Sequence, residues 1–411
     1  MKPEKSSNVQ NLFEQLVKKD WLAAFQQYSS YGEASSRLMW WVGVSTMASV
    51  LQRKVWLDMG DWEWSPNFYI LVIGEQGVVR KSTSIDVGLN LARLVPGVLM
   101  GPSSATWQAF IDKLEEANRR FALPSGEMFE MCCLTLGISE FGTFFKPEDR
   151  EQTDVLTDLW DGKKGTWTKA TRTVASNTLT NPWINMIAGT TPAWMARNMS
   201  ADELGGGLVS RIIFLREDMP EIDIPYPKLH MPPYRQFMKD ALLERLCEIG
   251  SMAGEFGMTG AALEWGTDWY TKERNELRKG GLQGLEAGFR ARKQVHLHKL
   301  AMILAAAEGK MLIDAEHLVE ANSRLHDIEA DAHRALNVVK QTEITGDAMH
   351  LVGLVRLRGH MKKRELFRHM ITEGMDWQRF QTALENAVRA GYVLEADSEV
   401  DPIIVMSEKL R

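Results

Sequence analysis

Hydrophobic positions recur with a helical period through the first part of the chain. Leu12 and Leu16, and later Leu38 and Val42, are spaced so that they lie on one face of a helix. This pattern predicts helices over residues 8–53.

Four short runs of apolar, β-branched and aromatic residues follow, and each predicts a buried strand. They cover residues 67–73, 132–138, 183–188 and 212–215, with helical patterns between them. Hydrophobic strands that alternate with helices predict an α/β fold with a parallel sheet. From about residue 232 the spacing becomes helical again.

After a polar break at residues 340–346, the tail predicts three helices and two short strands, the arrangement of a winged helix-turn-helix. Asp376 is suited to cap the third helix and Gly391 to end it. The predicted domains are a helical N-terminal region (1–60), an α/β core (61–225), a second helical domain (226–340) and the winged helix (346–411).

Composition narrows the function classes. The net charge of −6 over 411 residues argues against a protein that coats nucleic acid with its whole surface, but it allows a motor that grips phosphates through a few loops. The three cysteines cannot form a disulfide framework, and no apolar run predicts a membrane span or signal peptide. We therefore expect a protein of the bacterial cytoplasm. The 14 tryptophans are expected to pack in the core and at interfaces.

The segment after the first predicted strand has the context of a Walker A phosphate loop, because it joins a buried strand to a helix. Glycines free the backbone to wrap phosphate, and the helix N-terminus presents N–H groups to the anion. Lys81 would bridge the β- and γ-phosphates of ATP, and Ser82 rather than Thr83 would ligate Mg²⁺. The predicted ATP-binding residues of this loop are Gly74, Gly77, Val78, Val79, Arg80, Lys81, Ser82 and Thr83.

The loop departs from the usual Walker A sequence at two positions. Arg80 replaces the glycine before the lysine, and Gly77 lies one residue further from Lys81 than expected. A structural glycine turn before a helix is the alternative explanation.

A motor also needs a carboxylate beyond the end of a neighbouring strand, to orient the water that attacks the γ-phosphate. Glu140 follows the second predicted strand, and we assign it this role. Ser139 stands where Asp is usual and would contact a magnesium-bound water. Alternatively, Glu140 caps the next helix.

Two further segments carry candidate residues. A threonine-rich alternation predicts a β-hairpin over residues 166–179, and its cations would track a DNA backbone or form a solvated face. These cations are Lys163, Lys164, Lys169 and Arg172. Thr190 or Thr191, after the third strand, would sense the γ-phosphate. Arg211, after a glycine run, would reach a neighbour's nucleotide as a finger or form a structural salt bridge.

Together these motifs resemble a family of phage- and prophage-encoded, helicase-like P-loop proteins. The resemblance is strong over residues 30–220 and weak elsewhere. It rests on Lys81 to Thr83, Ser139 to Gly142, Leu159 to Gly162, Asn181 to Asn185 and Gly205 to Arg211.

More distantly, the order of parts is similar to AAA+ ring helicases of the minichromosome maintenance type. That similarity implies an AAA+/RecA-like P-loop core, a helical lid over residues 226–340, and a hexamer on DNA. It also implies that Arg290 or Arg292 in the lid bends back onto the γ-phosphate; a solvated helix face is the simpler account.

The tail offers further candidate DNA contacts in Lys363, Arg364 and Arg379. Acidic residues among them leave a docking or regulatory module as the alternative. The leading hypothesis is an ATP- and Mg²⁺-dependent DNA helicase or translocase of a phage or mobile element, which acts as a ring with replication proteins. The alternatives are a regulatory or helicase-loader ATPase, and a nucleotide-binding scaffold with weak turnover.

Overall fold

The computed structural model describes residues 3–147, 149–169, 177–199, 207–280, 284–372, 374–389, 391–396 and 402–407. The chain divides into two compact units. The first comprises Met1–Trp194 and Asp202–Ala335, and the second comprises Met195–Ala201 and Leu336–Arg411. The first unit therefore takes in the predicted N-terminal helices, the α/β core and most of the helical region that follows.

The strands of the first unit include every strand that the apolar runs predict. In chain order they are β1 (Val55–Asp58), β2 (Glu63–Trp64), β3 (Tyr69–Ile73), β4 (Asn118–Ala122), β5 (Met128–Ile138), β6 (Thr166–Lys169), β7 (Asn177–Thr180), β8 (Pro182–Thr190), β9 (Ile212–Arg216), β10 (Gly254–Glu255), β11 (Gly257–Met258) and β12 (Leu312–Ile313).

A five-stranded sheet in the order β4-β5-β8-β3-β9 forms the centre of this unit. β3 pairs in parallel with β8 and β9, β5 pairs in parallel with β8, and only the edge strand β4 is antiparallel. Every residue of β3 and β8 is buried, as expected for strands covered on both faces. The predicted α/β fold with a mainly parallel sheet is confirmed.

Helices cover both faces of this sheet. Those of the first unit and its connections are α1 (Pro3–Lys19), α2 (Trp21–Ser29), α3 (Ser36–Leu51), α4 (Lys81–Ala92), α5 (Trp107–Glu116), α6 (Arg150–Asp161), α7 (Pro192–Asn198), α8 (Pro227–His230), α9 (Arg235–Gly250), α10 (Gly260–Lys279), α11 (Gly284–Ala307) and α12 (Ala315–Arg358). No helix within the described ranges combines the length and apolar character needed to cross a membrane.

The faces of the sheet are distinguished by contacts with α4 and α6. A Cβ at Gly137 of β5 would collide with Leu89 of α4, so α4 packs on that face. On the other face, the Tyr69 hydroxyl donates to the Leu156 carbonyl of α6 over 3.0 Å. In open α/β sheets of this kind, ligands bind beyond the carboxyl ends of the strands.

Helix α3 is buried nearly all round, which explains its weak amphipathic pattern. It contacts the sheet through Asn185 of β8, whose amide donates to the Ser45 hydroxyl over 2.9 Å and accepts from the Phe68 N–H over 3.1 Å. A Cβ at Gly88 of α4 would collide with Thr46 of α3. The predicted N-terminal helices therefore belong to the core of the unit.

The second unit has its own core and the element order predicted for the tail. Its further elements are β13 (His360–Lys362), α13 (Lys363–Ile371), α14 (Trp377–Arg389), β14 (Val393–Ala396) and β15 (Ile403–Met406). The strands form an antiparallel sheet in the order β13-β15-β14, so β13 is a strand that the pattern missed. Asp376 accepts from the Arg379 N–H over 2.8 Å, and Gly391 has a φ of 74°, as predicted for these two positions.

The predicted break in the helical pattern at residues 340–346 is wrong. Residues 340–346 lie inside α12, which runs for 44 residues without a break. The polar stretch contains no proline, and its lysine, glutamine and glutamate are good helix formers. Polarity alone therefore did not end the helix.

His296 of α11 is fully buried beside the sheet, where burial lowers its pKa to about 3. Its Nε2 lies 3.3 Å from the Ser210 carbonyl oxygen, and its ring stacks on Phe289 with centroids 5.5 Å apart. The ring is therefore held neutral in the folded chain, whereas in the unfolded chain it titrates near pH 6.5.

Between pH 6.5 and 3 the unfolded chain binds more protons at this site, so stability falls as pH decreases. We expect the wild-type chain to lose about 2 kcal/mol more unfolding free energy between pH 7 and pH 5 than His296→Gln, which retains an N–H donor but does not titrate. Denaturant titrations at the two pH values measure this difference. The exposed His230, changed to Gln, is the matched control for the loss of an imidazole. If wild type and His296→Gln lost the same unfolding free energy between pH 7 and pH 5, the neutral state of the buried His296 ring would be contradicted.

Candidate functional site

The loop between β3 and α4 is shaped by three positions. Gly74 has no room for a side chain, because a Cβ would lie 2.7 Å from Val79 Cγ2 and 3.0 Å from the Glu217 carbonyl oxygen. Gly77 has a φ of 76°, which favours glycine. Arg80 is left-handed, with φ 51° and ψ 30°, at a cost of about 1–2 kcal/mol. The missing glycine of the usual loop is therefore replaced by an arginine in a glycine-like conformation.

The Arg80 side chain fixes this loop to its surroundings. Its Nε donates to Glu33 Oε2 over 2.9 Å, and Glu33 Oε1 accepts from the Ile224 N–H over 3.0 Å. The hydrogen bond from Arg80 holds the pKa of Glu33 below its usual value. Glu33 thus joins the loop to the segment that follows β9.

Lys81 begins α4, and its side chain folds back into the loop. It is 7 % exposed, and its Nζ donates to the carbonyls of Gly74 over 2.6 Å and Glu75 over 3.1 Å. Burial lowers the pKa of Lys81, while the carboxylates of Glu140 and Glu75 raise it. The ammonium group is therefore desolvated and lies close enough to Glu140 to feel its charge.

The N-terminus of α4 has no side-chain cap. A side-chain oxygen caps α2, α3, α5 and α6, from Asp20, Ser35, Thr106 and Asp149 respectively, whereas α8, α9 and α13 lack such a cap, as α4 does. Ser82 and Thr83 in the first turn are exposed. The first-turn N–H groups and the helix dipole thus point to a place where an anion is favoured.

Glu140 lies just beyond the end of β5 and is exposed, as is Ser139. Its side chain does not cap the short 3₁₀ helix at Phe141–Thr143; only its backbone carbonyl accepts from the Thr143 N–H, over 3.0 Å. The capping alternative for the carboxylate is therefore wrong.

Gly189 is a site residue that sequence reasoning missed. A Cβ at this position would lie 2.7 Å from the Ser139 carbonyl oxygen and 3.6 Å from both Cβ and Cε of Lys81. The absence of a side chain lets the end of β5 and the first residue of α4 approach each other across β8. The available signal was a glycine inside a buried apolar strand, which often marks close approach of another backbone.

The two sensor candidates differ in their surroundings. Thr190 is 1 % exposed, and its hydroxyl is buried with no hydrogen-bond partner among the described residues. Because side chains alternate along a strand, Thr190 faces away from the Gly189 side that meets Lys81. The Thr191 hydroxyl accepts from the Trp194 N–H over 3.1 Å. The sensor role of either threonine stays a prediction.

A cavity of about 500 Å³ opens beside the loop. Its walls come from the turn between α2 and α3, from Val79, and from the segment after β9. Arg37 crosses this region, with Nη1 2.7 Å from Asp331 Oδ2 and Nη2 3.3 Å from Glu217 Oε1. Burial raises the pKa of Glu217 despite the nearby Arg37.

Arg211 lies at the opposite, amino-terminal edge of the sheet, directly before β9. It is 3 % exposed and makes a two-point contact with Asp161, Nε to Oδ1 over 3.0 Å and Nη2 to Oδ2 over 2.6 Å. A third nitrogen, Nη1, donates to the Gly207 carbonyl over 2.5 Å. This is the structural salt bridge that was the alternative to a finger, since a buried guanidinium with these partners is not presented to a neighbour.

Arg292, one of the two arginines expected to bend back onto a γ-phosphate, does not reach the loop in this chain. Arg292 Nη1 lies 3.4 Å from Asp161 Oδ1, and Asp161 ends α6 beside the amino edge of the sheet. The five residues of β3 separate the two edges by roughly 16 Å. The expectation that Arg292 touches a γ-phosphate held by Lys81 is therefore corrected. Arg290 is partly buried on the same helix.

The predicted hairpin is formed by β6 and β7, which pair antiparallel. Lys163 and Lys164 precede it and are exposed, and Lys164 Nζ lies 3.6 Å from Glu63 Oε2. Lys169 ends β6, but its side chain and the whole of Arg172 lie outside the described residues.

The candidate DNA contacts of the second unit are partly engaged within that unit. Lys363 Nζ lies 2.9 Å from Glu395 Oε1, and Arg379 makes a two-point contact with Asp347 over 2.6 and 3.1 Å. Arg364 is exposed. These ion pairs reduce the positive charge that the tail offers to a phosphate backbone.

Comparison with known proteins assigns no family. The chain matches no protein-family model, and a search of curated proteins returned no match. The geometry of the two sheet edges therefore carries the functional argument.

Gly189→Ala tests the close approach at the carboxyl edge. We expect a loss of about 1–3 kcal/mol in unfolding free energy, because the new methyl group must displace the Ser139 backbone. Gly266→Ala on α10 is the matched control, since its Cβ would meet Leu318 at an ordinary 3.7 Å. The control should be neutral or slightly stabilising in the same denaturant titration. Equal midpoints for both variants would refute the close approach.

Proposed function

We propose that this chain is an ATP hydrolase of the P-loop type that drives helicase or translocase work on DNA for a phage or mobile element. The observation that carries the proposal is the arrangement at the carboxyl edge of the sheet. There Lys81 is the first residue of α4, whose N-terminus has no side-chain cap. Its buried ammonium group lies near the exposed carboxylate of Glu140.

Binding of a triphosphate follows from the electrostatics of this edge. The phosphates would replace the carbonyls of Gly74 and Glu75 as acceptors for Lys81, because charge-assisted hydrogen bonds are the stronger ones. The N–H groups of the first turn of α4 would donate to the same anion. Val78 and Arg80 line the outer side of the loop.

Mg²⁺ suits the residues at this edge. The described residues contain no group of three His, Cys, Asp or Glu side chains that could hold a metal ion. Mg²⁺ commonly binds through few protein ligands together with phosphate oxygens and water, and we assign the Ser82 hydroxyl as a protein ligand. When bound, the ion neutralises charge on the phosphates.

The nucleoside would occupy the cavity beside Val79. Its volume of about 500 Å³ lies within the usual range for small-molecule sites. The Arg80–Glu33 ion pair connects this cavity to the phosphate loop. Adenine is the expected base because the motifs resemble ATP-dependent motors.

Hydrolysis would use Glu140 as the group that orients and deprotonates water. The water oxygen forms a bond to the γ-phosphorus, the bond to the β–γ bridging oxygen breaks, and ADP and phosphate leave. Positioned general bases contribute about 10²–10⁴-fold to such steps. Thr190 and Thr191 remain candidates for sensing the γ-phosphate at the end of β8.

Work on DNA by a ring of six copies is proposed on the resemblance to ring helicases and on the second unit. Its order of helix, strand, two helices and a two-stranded wing fits a winged helix. The exposed Lys163 and Lys164 fit a contact with a phosphate backbone. A helical lid is proposed for residues 226–340.

A helicase loader or other regulatory ATPase is the second candidate. The burial of Arg211 favours this candidate, because the residue cannot then serve as an arginine finger between ring neighbours. The ion pairs of Lys363 and Arg379 also favour it, because they reduce the positive charge offered to DNA. Such a protein would bind ATP and remodel a partner without unwinding DNA.

Two substitutions separate binding from hydrolysis. Lys81→Ala should abolish ATP binding and DNA-stimulated turnover, because it removes the buried cation. Glu140→Gln should keep ATP affinity but lower turnover by at least about a hundredfold. Lys113→Ala on α5, far from the loop in the sequence and exposed, is the control. Turnover that survives Lys81→Ala would sink the site assignment, and unchanged turnover in Glu140→Gln would remove Glu140 from its role.

A strand-displacement assay with the purified chain, ATP and Mg²⁺ distinguishes the motor from the loader. We expect displacement of a short duplex by wild type and none by Lys81→Ala. Negative-stain images with an ATP analogue and single-stranded DNA should show rings. ATP turnover without displacement and without rings would reject the motor in favour of the loader.

A further inference from the structure

A second cavity lies at the amino edge of the sheet, away from the phosphate loop. Its volume is about 630 Å³, and four of its wall residues are tryptophans: Trp56, Trp62, Trp64 and Trp160. We call it the tryptophan cavity. Lys163, Lys164 and Arg292 also line it.

Trp62 is the tryptophan with a free ring. It is 55 % exposed and sits on the turn between β1 and β2, where the Met59 N–H donates to the Trp62 carbonyl over 2.9 Å and Gly60 has a φ of 92°. Among the described residues, no ring or cation stacks on it. The turn therefore holds an aromatic face open at the rim of the cavity.

The other three tryptophan rings already have partners. Lys299 Nζ lies 3.6 Å from the centroid of Trp160, Trp64 packs against His298, and Trp56 stacks on Phe129. A cage of rings for a cationic ligand is therefore not available, because its deepest ring, Trp160, is occupied by the protein's own ammonium group.

The two inner carboxylates of the cavity are neutralised by the protein. Glu63 lies 2.9 Å from Arg53 and 3.6 Å from Lys164. Asp161 is bound by Arg211 over 2.6 Å and by Arg292 over 3.4 Å.

The charges that remain favour an anion in the inner part of the cavity. Lys163 is exposed and has no ion-pair partner within the described part of the chain. Lys299 lies behind the wall and donates to the Asn67 side chain, but burial lowers its pKa well below the usual value, so its charge is not counted in favour of an anion. Asp58 and Asp61 stand at the exposed rim, where water and salt screen them. Lys163, together with Arg292, which shares Asp161 with Arg211, therefore offers positive charge in the cavity that the Trp62 ring also lines.

We propose that the tryptophan cavity binds a nucleotide unit of single-stranded nucleic acid, with a base stacked on Trp62 and its phosphate beside Lys163 and Arg292. An exposed ring next to cations is the combination by which proteins hold single strands without reading their sequence. The inference rests on the proposed function in taking DNA as the partner, but it uses no residue of the phosphate loop.

The test measures binding of a fluorescently labelled oligothymidylate to the full chain by anisotropy, without ATP and over a series of salt concentrations. Trp62→Ala should weaken binding about tenfold at every salt concentration, because it removes stacking and no charge. Lys163→Ala should lower the slope of log affinity against log salt by about 0.7, because it removes one phosphate contact. Trp62→Phe keeps a ring and should restore most of the affinity.

Controls identify the chemistry of the ligand. Lys113→Ala, an exposed lysine outside the cavity, should leave the salt slope unchanged. An oligomer with abasic positions should bind wild type and Trp62→Ala alike, because no base remains to stack. Inorganic phosphate should compete only weakly, and tetramethylammonium not at all.

Two outcomes would overturn the inference: wild-type affinity in Trp62→Ala, or effective competition by tetramethylammonium, which would indicate a cation site. These are separable from failure of the proposed function. Persistent ATP turnover in Lys81→Ala would defeat the ATPase assignment but would leave the binding result standing.

Discussion

The hydrogen bonds from the Lys81 ammonium to the carbonyls of Gly74 and Glu75 are the interaction on which the carboxyl edge of the sheet depends. A buried cation must find acceptors, and here the loop folds over it to supply them. Gly74, one of the two acceptors, has no room for a side chain because Val79 and the Glu217 carbonyl oxygen pack against it. Gly189 must be bare for a different reason: a Cβ there would lie 2.7 Å from the Ser139 carbonyl oxygen, whereas the Lys81 side chain passes at an ordinary 3.6 Å. The hydrogen bonds that fix the conformation of the loop are therefore the same ones that hold the cation in the site.

Much of the sheet could be predicted because its strands are buried on both faces and read as unbroken apolar runs. The strand before the loop, the acid after β5 and the hairpin at residues 166–179 all follow from local patterns. Local patterns do not predict strands as short as β10, β11 and β12, which have two residues each. They also predict a break wrongly at residues 340–346, where a polar segment continues a helix. Such elements are fixed by the rest of the fold.

The candidate site divides in the same way. The residues of the loop and Glu140 could be identified because their chemistry depends on neighbours in sequence. The environment of Arg211 could not, because its partner Asp161 lies 50 positions earlier and its burial depends on α11. Gly189 was passed over for a related reason: its importance comes from Ser139 and Lys81, which approach it only in the folded chain.

The cations at the two edges of the sheet are held in different ways. At the amino edge Arg53 and Arg211 are paired with carboxylates, and removing either partner would leave a buried charge at a cost of about 3–5 kcal/mol. At the carboxyl edge Lys81 is held only by neutral carbonyls, which an anion can replace. Arg53 and Arg211, paired with carboxylates, stabilise the fold, whereas the carbonyls that hold Lys81 at the N-terminus of α4 can be replaced by an anion. This difference in partners, more than the presence of positive charge, is the reason to look for the triphosphate at Lys81 and to assign Arg211 to the architecture.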